Sequence, residues 1–260
     1  MKRDRILRAG SLFFLALTVL LYFRAPVPPG SDETVRMMIR SALPRLSGSA
    51  AILLAIIGER FRLTRRPAVF DLAVLLPALL VVLDNLPWYA LLFEGNRVGE
   101  RSLLGWIVLE SLAVGLFEEL VFRGMFLPFA LRRYARNRKT LFLTVLVSSA
   151  VFGLVHLFNL IEGAGIGPTL MQVGYSTLIG GMCAIVLIRT GNLIHCVLLH
   201  ALFDFGGILP LALTDDAPEN PVTVVVKVAI AVCVGVWMIL LLLRTPPETI
   251  RIVPGEEKDK

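Results

Sequence analysis

Three apolar stretches of the chain carry ionisable side chains at helical spacing: Gly115-Leu-Phe-Glu118-Glu119-Leu-Val-Phe-Arg123-Gly124, Phe152-Gly-Leu-Val-His156 and His200-Ala-Leu-Phe-Asp204. Neighbours on a helix point about 100° apart, whereas residues four apart share a face. Glu119 is therefore expected to meet Arg123, acid before base, in an ion pair that neutralises both charges. Glu118 has no partner on its own helix, which suits it to general base work. His200 and Asp204 also lie four apart, so the carboxylate can hold one ring nitrogen and leave the other for a substrate. Phe152, one turn before His156, can pack on that ring and restrict its rotamer. A single buried histidine is ordinarily bonded to a neighbouring carbonyl. Glu118, His156, His200 and Asp204 on three apolar helices are better explained by one shared site, because each ionisable group at membrane depth costs several kcal/mol.

The surrounding composition is that of a membrane protein. Apolar residues make up 56% of the 260, and charged residues 18% against a usual ~25%, with mean hydropathy +0.77. A soluble enzyme, a disulfide scaffold and a disordered tail are excluded. Runs long enough to span lie at 6–23, 40–58, 69–93, 103–129, 140–160, 168–188, 191–213 and 222–243. The chain thus reads as all-α, a polytopic membrane helix bundle of about eight transmembrane helices. The second run is the weakest, broken by Arg40, Pro44 and Arg45, and the third contains Pro77 and is expected to end near Asp84-Asn85. The first, after Lys2, Arg3, Arg5 and Arg8, reads as an uncleaved helix, since no A-x-A-like site precedes Pro26.

The net charge of +6 does not point to nucleic acid, because the basic residues cluster between the apolar runs. Arg60, Arg62, Arg65 and Arg66 crowd one loop, and Arg132, Arg133, Arg136, Arg138 and Lys139 another. Such loops stay cytoplasmic, which puts both termini inside. The loops with Glu162 and with Asp215, Asp216 and Glu219 suit the outside, while Arg24, Arg36, Arg40 and Arg45 run against this scheme. Cys183, Cys196 and Cys233 read as small core residues. His195 falls on another face from His200 and reads as interfacial. Asp71, Asp84, Glu110 and Lys227 are expected to snorkel or pair locally.

In order and spacing, Glu118-Glu119-x-x-x-Arg123, Phe152-x-x-x-His156 and His200-x-x-x-Asp204 resemble the CPBP family of intramembrane proteases. That family includes type II CAAX prenyl endopeptidases and bacterial proteins of bacteriocin processing and self-immunity. The resemblance covers about residues 102–213, between N-terminal helices over 1–101 and a last helix with cytoplasmic tail over 214–260. It implies a metalloendopeptidase-like hydrolase in a cell membrane, prokaryotic by expectation, acting on a membrane-associated protein or peptide whose lipidation the sequence leaves open. Glu118 would activate water beside His156, Glu119 and Arg123 would support them, and His200 would sit near the oxyanion. Asp204 stands where many members carry Asn. It cannot donate to an oxyanion when ionised, and is expected to orient His200. No cofactor is required on this reading. The alternative is Zn2+ held by His156, His200 and Asp204. A silent immunity or binding protein and a proton-coupled transporter are the other function classes.

Overall fold

The computed structural model describes residues 2–59, 61, 63–215, 220–246 and 250. Of the residues named above, Arg60, Arg62, Asp216 and Glu219 lie outside the described residues, as does most of the C-terminal tail. The elements are α1 (Lys2–Arg24), α2 (Glu33–Glu59), α3 (Val69–Leu72), α4 (Leu75–Asp84), α5 (Trp88–Leu92) and α6 (Arg101–Glu119). A π-helical turn, Leu120–Phe126, leads into α7 (Leu127–Tyr134), and α8 (Arg138–Val155) ends in a 3-10 turn, His156–Leu160. There follow α9 (Ile166–Thr190), α10 (Leu193–Ile208) with a 3-10 turn over Leu209–Ala212, and α11 (Pro221–Arg244). Among the described residues six helices are long and apolar enough to cross a membrane: Arg3–Arg24, Glu33–Glu59, Arg138–Leu160, Ile166–Thr190, Leu193–Ala212 and Pro221–Arg244. The protein is an all-α, multi-pass integral membrane protein.

The other two apolar runs differ from simple spans for local reasons. Residues 69–93 form three short helices. Pro77 fits the first turn of α4, where no helical N–H acceptor is needed. Asn85 and Leu86 then fold their N–H groups back on Val82 and Leu83 carbonyls at 3.3 and 3.2 Å. The wide turn after α6 sits just before Pro128, whose missing N–H cannot serve the Gly124 carbonyl. Further along, caps fix the helix starts. Asn137 accepts from Thr140 N at 2.9 Å in a capping box, and Asn220 accepts from Val222 N at 2.8 Å. The second run, expected to be weak, is one helix through Pro44, started by Asp32, whose Oδ1 accepts from Val35 N at 2.8 Å.

The chain divides into two compact units. The first comprises Met1–Arg60, Leu79–Val121 and Val197–Ile230. In it α1 and α2 run antiparallel, cross-linked by the Ser11 hydroxyl on Ala51 O and the Ser47 hydroxyl on Phe14 O, both at 3.0 Å. Such hydroxyl-to-carbonyl bonds are the glue available where lipid removes the hydrophobic drive. Met38, Leu103, Ile107 and Ala212 form a buried cluster. Val98 bridges Leu213, with Gly99 N on Ala212 O at 3.0 Å. Gly115 of α6 lies against α10 so closely that a Cβ there would stand 2.9 Å from Ala201 N and 3.1 Å from Val197 O.

The second unit comprises Phe61–Ala78, Phe122–Cys196 and Ala231–Lys260. α8 and α9 run antiparallel along a small-residue seam, Gly153 against Val173 and Thr177, Gly180 and Gly181 against Ser149. Gly191 ends α9 in the left-handed conformation, φ 64°. Thr64 bridges Asn192, with Leu193 N on Leu63 O at 2.7 Å and Arg65 N on Gly191 O at 3.0 Å. Arg65 and Arg189 share Asp71 at 3.8 and 4.0 Å.

The α6–α10 contact yields a prediction. Gly115→Leu should destabilise the protein by about 1–3 kcal/mol, since a side chain must be driven into backbone. Gly105→Leu on the same helix meets open space and should be silent. Thermal unfolding of the two variants in detergent makes the comparison.

Candidate active site

The close approach at Gly115 decides what the next turn of α6 can reach. Glu119, one turn on, places Oε1 2.8 Å from Nδ1 of His200, the residue before Ala201. Glu119 is wholly buried and His200 nearly so. A carboxylate only accepts, so Nδ1 carries the proton and donates, and the other ring nitrogen is presented away from Glu119. That nitrogen, Nε2, faces Asp204 Oδ2 at 3.5 Å and Glu118 Oε2 at 3.8 Å. Glu118, Glu119, His200 and Asp204 thus form one cluster in the first unit.

The geometry reverses one assignment made from spacing. Asp204 was expected to hold His200, leaving the opposite nitrogen to the substrate. Glu119 holds it instead, with the shorter, charge-assisted bond, and Asp204 stands on the Nε2 side beside Glu118. The i,i+4 rule brought Asp204 to His200 but is blind to a contact across helices. The signal lay in Gly115 and Ala201, small residues that let two backbones touch.

In the second unit, Arg123 is buried, with its guanidinium carbon 4.2 Å from the centroid of the Phe152 ring. This cation–π contact is flanked by Phe122, edge-on to Phe152 at 4.9 Å. On the far side Phe152 meets the His156 ring edge-on at 5.5 Å, and His156 Nδ1 donates to Phe152 O at 3.1 Å. That bond fixes the tautomer, so Nε2 is the nitrogen left for chemistry. Gly180 keeps the stack tight, since a Cβ there would lie 3.0 Å from both Arg123 Nη2 and Phe152 Cδ1.

Other acids behave less uniformly than expected. Glu110 does not snorkel. It is buried on α6, accepting from the Ser41 hydroxyl, with Arg45 at 4.0 Å. Arg45, which ran against the charge scheme, is therefore a partner for a buried acid. Cys183 and Cys196 are buried, the Cys196 thiol donating to Cys183 O at 3.2 Å, while Cys233 is exposed. His195 lies in the first turn of α10.

Residues 100–206 match the family described as type II CAAX prenyl endopeptidase Rce1-like. The likeness is confined to that segment. All six residues singled out from spacing fall inside this Rce1-like segment, whereas α1 to α5 and α11 lie outside it. No curated protein and no solved structure matches the chain. The chain is thus a multi-pass membrane protein with a segment similar to a membrane-protease family, and the bilayer is its partner.

Removing the acceptor from His200 should be felt in stability. Glu119→Ala leaves a buried N–H unpaired and should cost about 1–3 kcal/mol. Glu119→Gln, which keeps an accepting oxygen, should cost less, and Glu118→Gln should unfold like the wild type. Unfolding midpoints of the three variants rank them. A silent Glu119→Ala beside a destabilised Glu118→Gln would exchange the two roles.

Proposed function

We propose that the protein is an intramembrane endopeptidase in which Glu118 activates water. The observation that carries this reading is the His200 cluster: an imidazole fixed at Nδ1 by Glu119 and presenting Nε2 beside a second glutamate, within a segment of a peptidase family. Hydrolysis of an amide needs a base for water, a donor for the oxyanion and an acid for the leaving amine. Glu118 takes a proton from water as the oxygen attacks the carbonyl carbon. When the C–N bond breaks, it returns that proton to the amine. His200 faces the developing oxyanion. Because Nδ1–H is committed to Glu119, donation from Nε2 requires the imidazolium, for which the surrounding carboxylates are counter-charges. The family resemblance assigns His156, whose Nε2 is left for chemistry, and Arg123 supporting parts in the same reaction. The substrate is a membrane-associated protein or peptide, and a prenylated CAAX terminus is the first to try.

Two of the three residues named for zinc stand together. His200 Nε2 and Asp204 Oδ2, 3.5 Å apart, are spaced as two ligands of one tetrahedral ion can be, and Glu119 stands behind His200 as an outer partner. On the resemblance His156 would be the third ligand, and an ion so held would polarise the scissile carbonyl. The proposed reaction runs without it, because Glu118 is free to act as base and His200 as oxyanion donor.

Glu118→Gln should fold normally and lose activity by about 100- to 10,000-fold, the usual worth of a positioned base. A folded Glu118→Gln with full function would make the protein a binding or immunity module instead. Asp204→Asn should retain much of the activity, with no stoichiometric zinc in the purified protein. About one zinc per chain by elemental analysis, lost with activity in Asp204→Asn, would make the enzyme zinc-dependent.

A further inference from the structure

Asn85 lies after α4, outside the Rce1-like segment and fifteen residues before it begins. Its side chain reaches α10, where Nδ2 donates to Phe203 O at 2.8 Å. That carbonyl belongs to the peptide unit joining Phe203 to Asp204. Three residues on, Gly206 lies against the main chain of the same residue. A Cβ there would stand 3.0 Å from Asn85 O and 3.2 Å from Leu86 N. Residues three apart share a helix face, so the two contacts grip one turn of α10, and Asp204 is within it. An ordinary helix supplies that carbonyl with one N–H, and a second lone pair remains to take a second donor.

Resting on the endopeptidase reading, we propose that Asn85 is a positioning residue for Asp204. By holding the 203–206 turn, it sets where the carboxylate stands beside His200 Nε2, 3.5 Å away, on the side that His200 offers to the oxyanion. Merely ending α4 would require no reach to another helix, and glycine at 206 admits the close approach. Displacing a group by a fraction of its reach is costly in a site that depends on aligned atoms.

The test uses the full-length protein in nanodiscs with 15N-labelled histidine. The chain has 3 histidines, so His156, His195 and His200 are assigned by single replacements. Asn85→Asp keeps the shape and replaces the donating amide with oxygen, and Asn85→Leu keeps the approximate volume without polar atoms. Trp88→Phe, which deletes an indole bond to Leu83 O at 2.6 Å in the neighbouring turn, is the structural control. Both Asn85 variants should shift the His200 ring resonances and leave those of His195 in place. On a quenched farnesylated CAAX peptide they should lower kcat by about 10- to 100-fold, with KM changed by less than about threefold. Trp88→Phe should change neither spectrum nor turnover. If neither Asn85 variant folds, Gly206→Ala, which pushes on the same contact, should shift His200 likewise. Unchanged His200 resonances in the folded variants, or an equal shift in Trp88→Phe, would overturn the proposal. A wild-type protein that leaves the peptide uncut counts against the endopeptidase reading on that substrate, while the histidine spectrum still decides the role of Asn85.

Discussion

An imidazole buried in a lipid-embedded bundle cannot leave its N–H groups or its charge unanswered, because the hydrocarbon around the bundle offers no hydrogen-bonding partner. The bond from His200 to Glu119 meets that demand, and much of the first unit follows from it. A glutamate side chain reaches only a few ångströms, so α6 and α10 must nearly touch. They touch because Gly115 has no side chain and Ala201 almost none. Once Nδ1 is committed, the chemistry available at His200 is confined to Nε2, and the groups facing that nitrogen, Glu118 and Asp204, define where a reacting molecule could sit.

The second unit solves a comparable problem by other means. Arg123 is a cation with a ring under it, and the same ring borders His156, whose Nδ1 is fixed by a backbone carbonyl one turn earlier. Phe152 is thus shared between a charge and a titratable ring. The spacing showed that Phe152 could pack on His156; that it also carries Arg123 was not visible, because the two residues are 29 positions apart in sequence.

What could be read beforehand were the interactions that depend on one helix alone. Apolar length gave the spans, period gave the faces, and Pro77 and Asp84-Asn85 gave the break in the third run. What could not be read were the contacts made between helices: Glu119 with His200, Glu110 with Ser41 and Arg45, Asn85 with Phe203. Each depends on which faces are turned together, and hydropathy does not encode that among helices that are apolar nearly all round. The π-helical turn escaped for a different reason. Its cause, Pro128, is in plain view, but a proline near a helix start is compatible with several backbones.

The two short backbone bridges carry a consequence for how the chain threads the bilayer. Residues whose main chains are hydrogen-bonded at helix ends occupy the same face of the membrane. Thr64 therefore shares a face with Asn192, and Val98 with Leu213. Each pair returns the chain to the face it left, so the crossings between its two residues are even in number. Between Val98 and Leu213 only Arg138–Leu160, Ile166–Thr190 and Leu193–Ala212 are long enough to cross, so α6 with α7 supplies a fourth, and between Thr64 and Asn192 parity then demands one more, in the stretch that holds only α3, α4 and α5. A broken crossing of this kind is tolerated only where its exposed backbone groups are sheltered by protein. The interruption at Asn85 is thus an intramembrane break, in one of the two crossings that the length of individual helices misses.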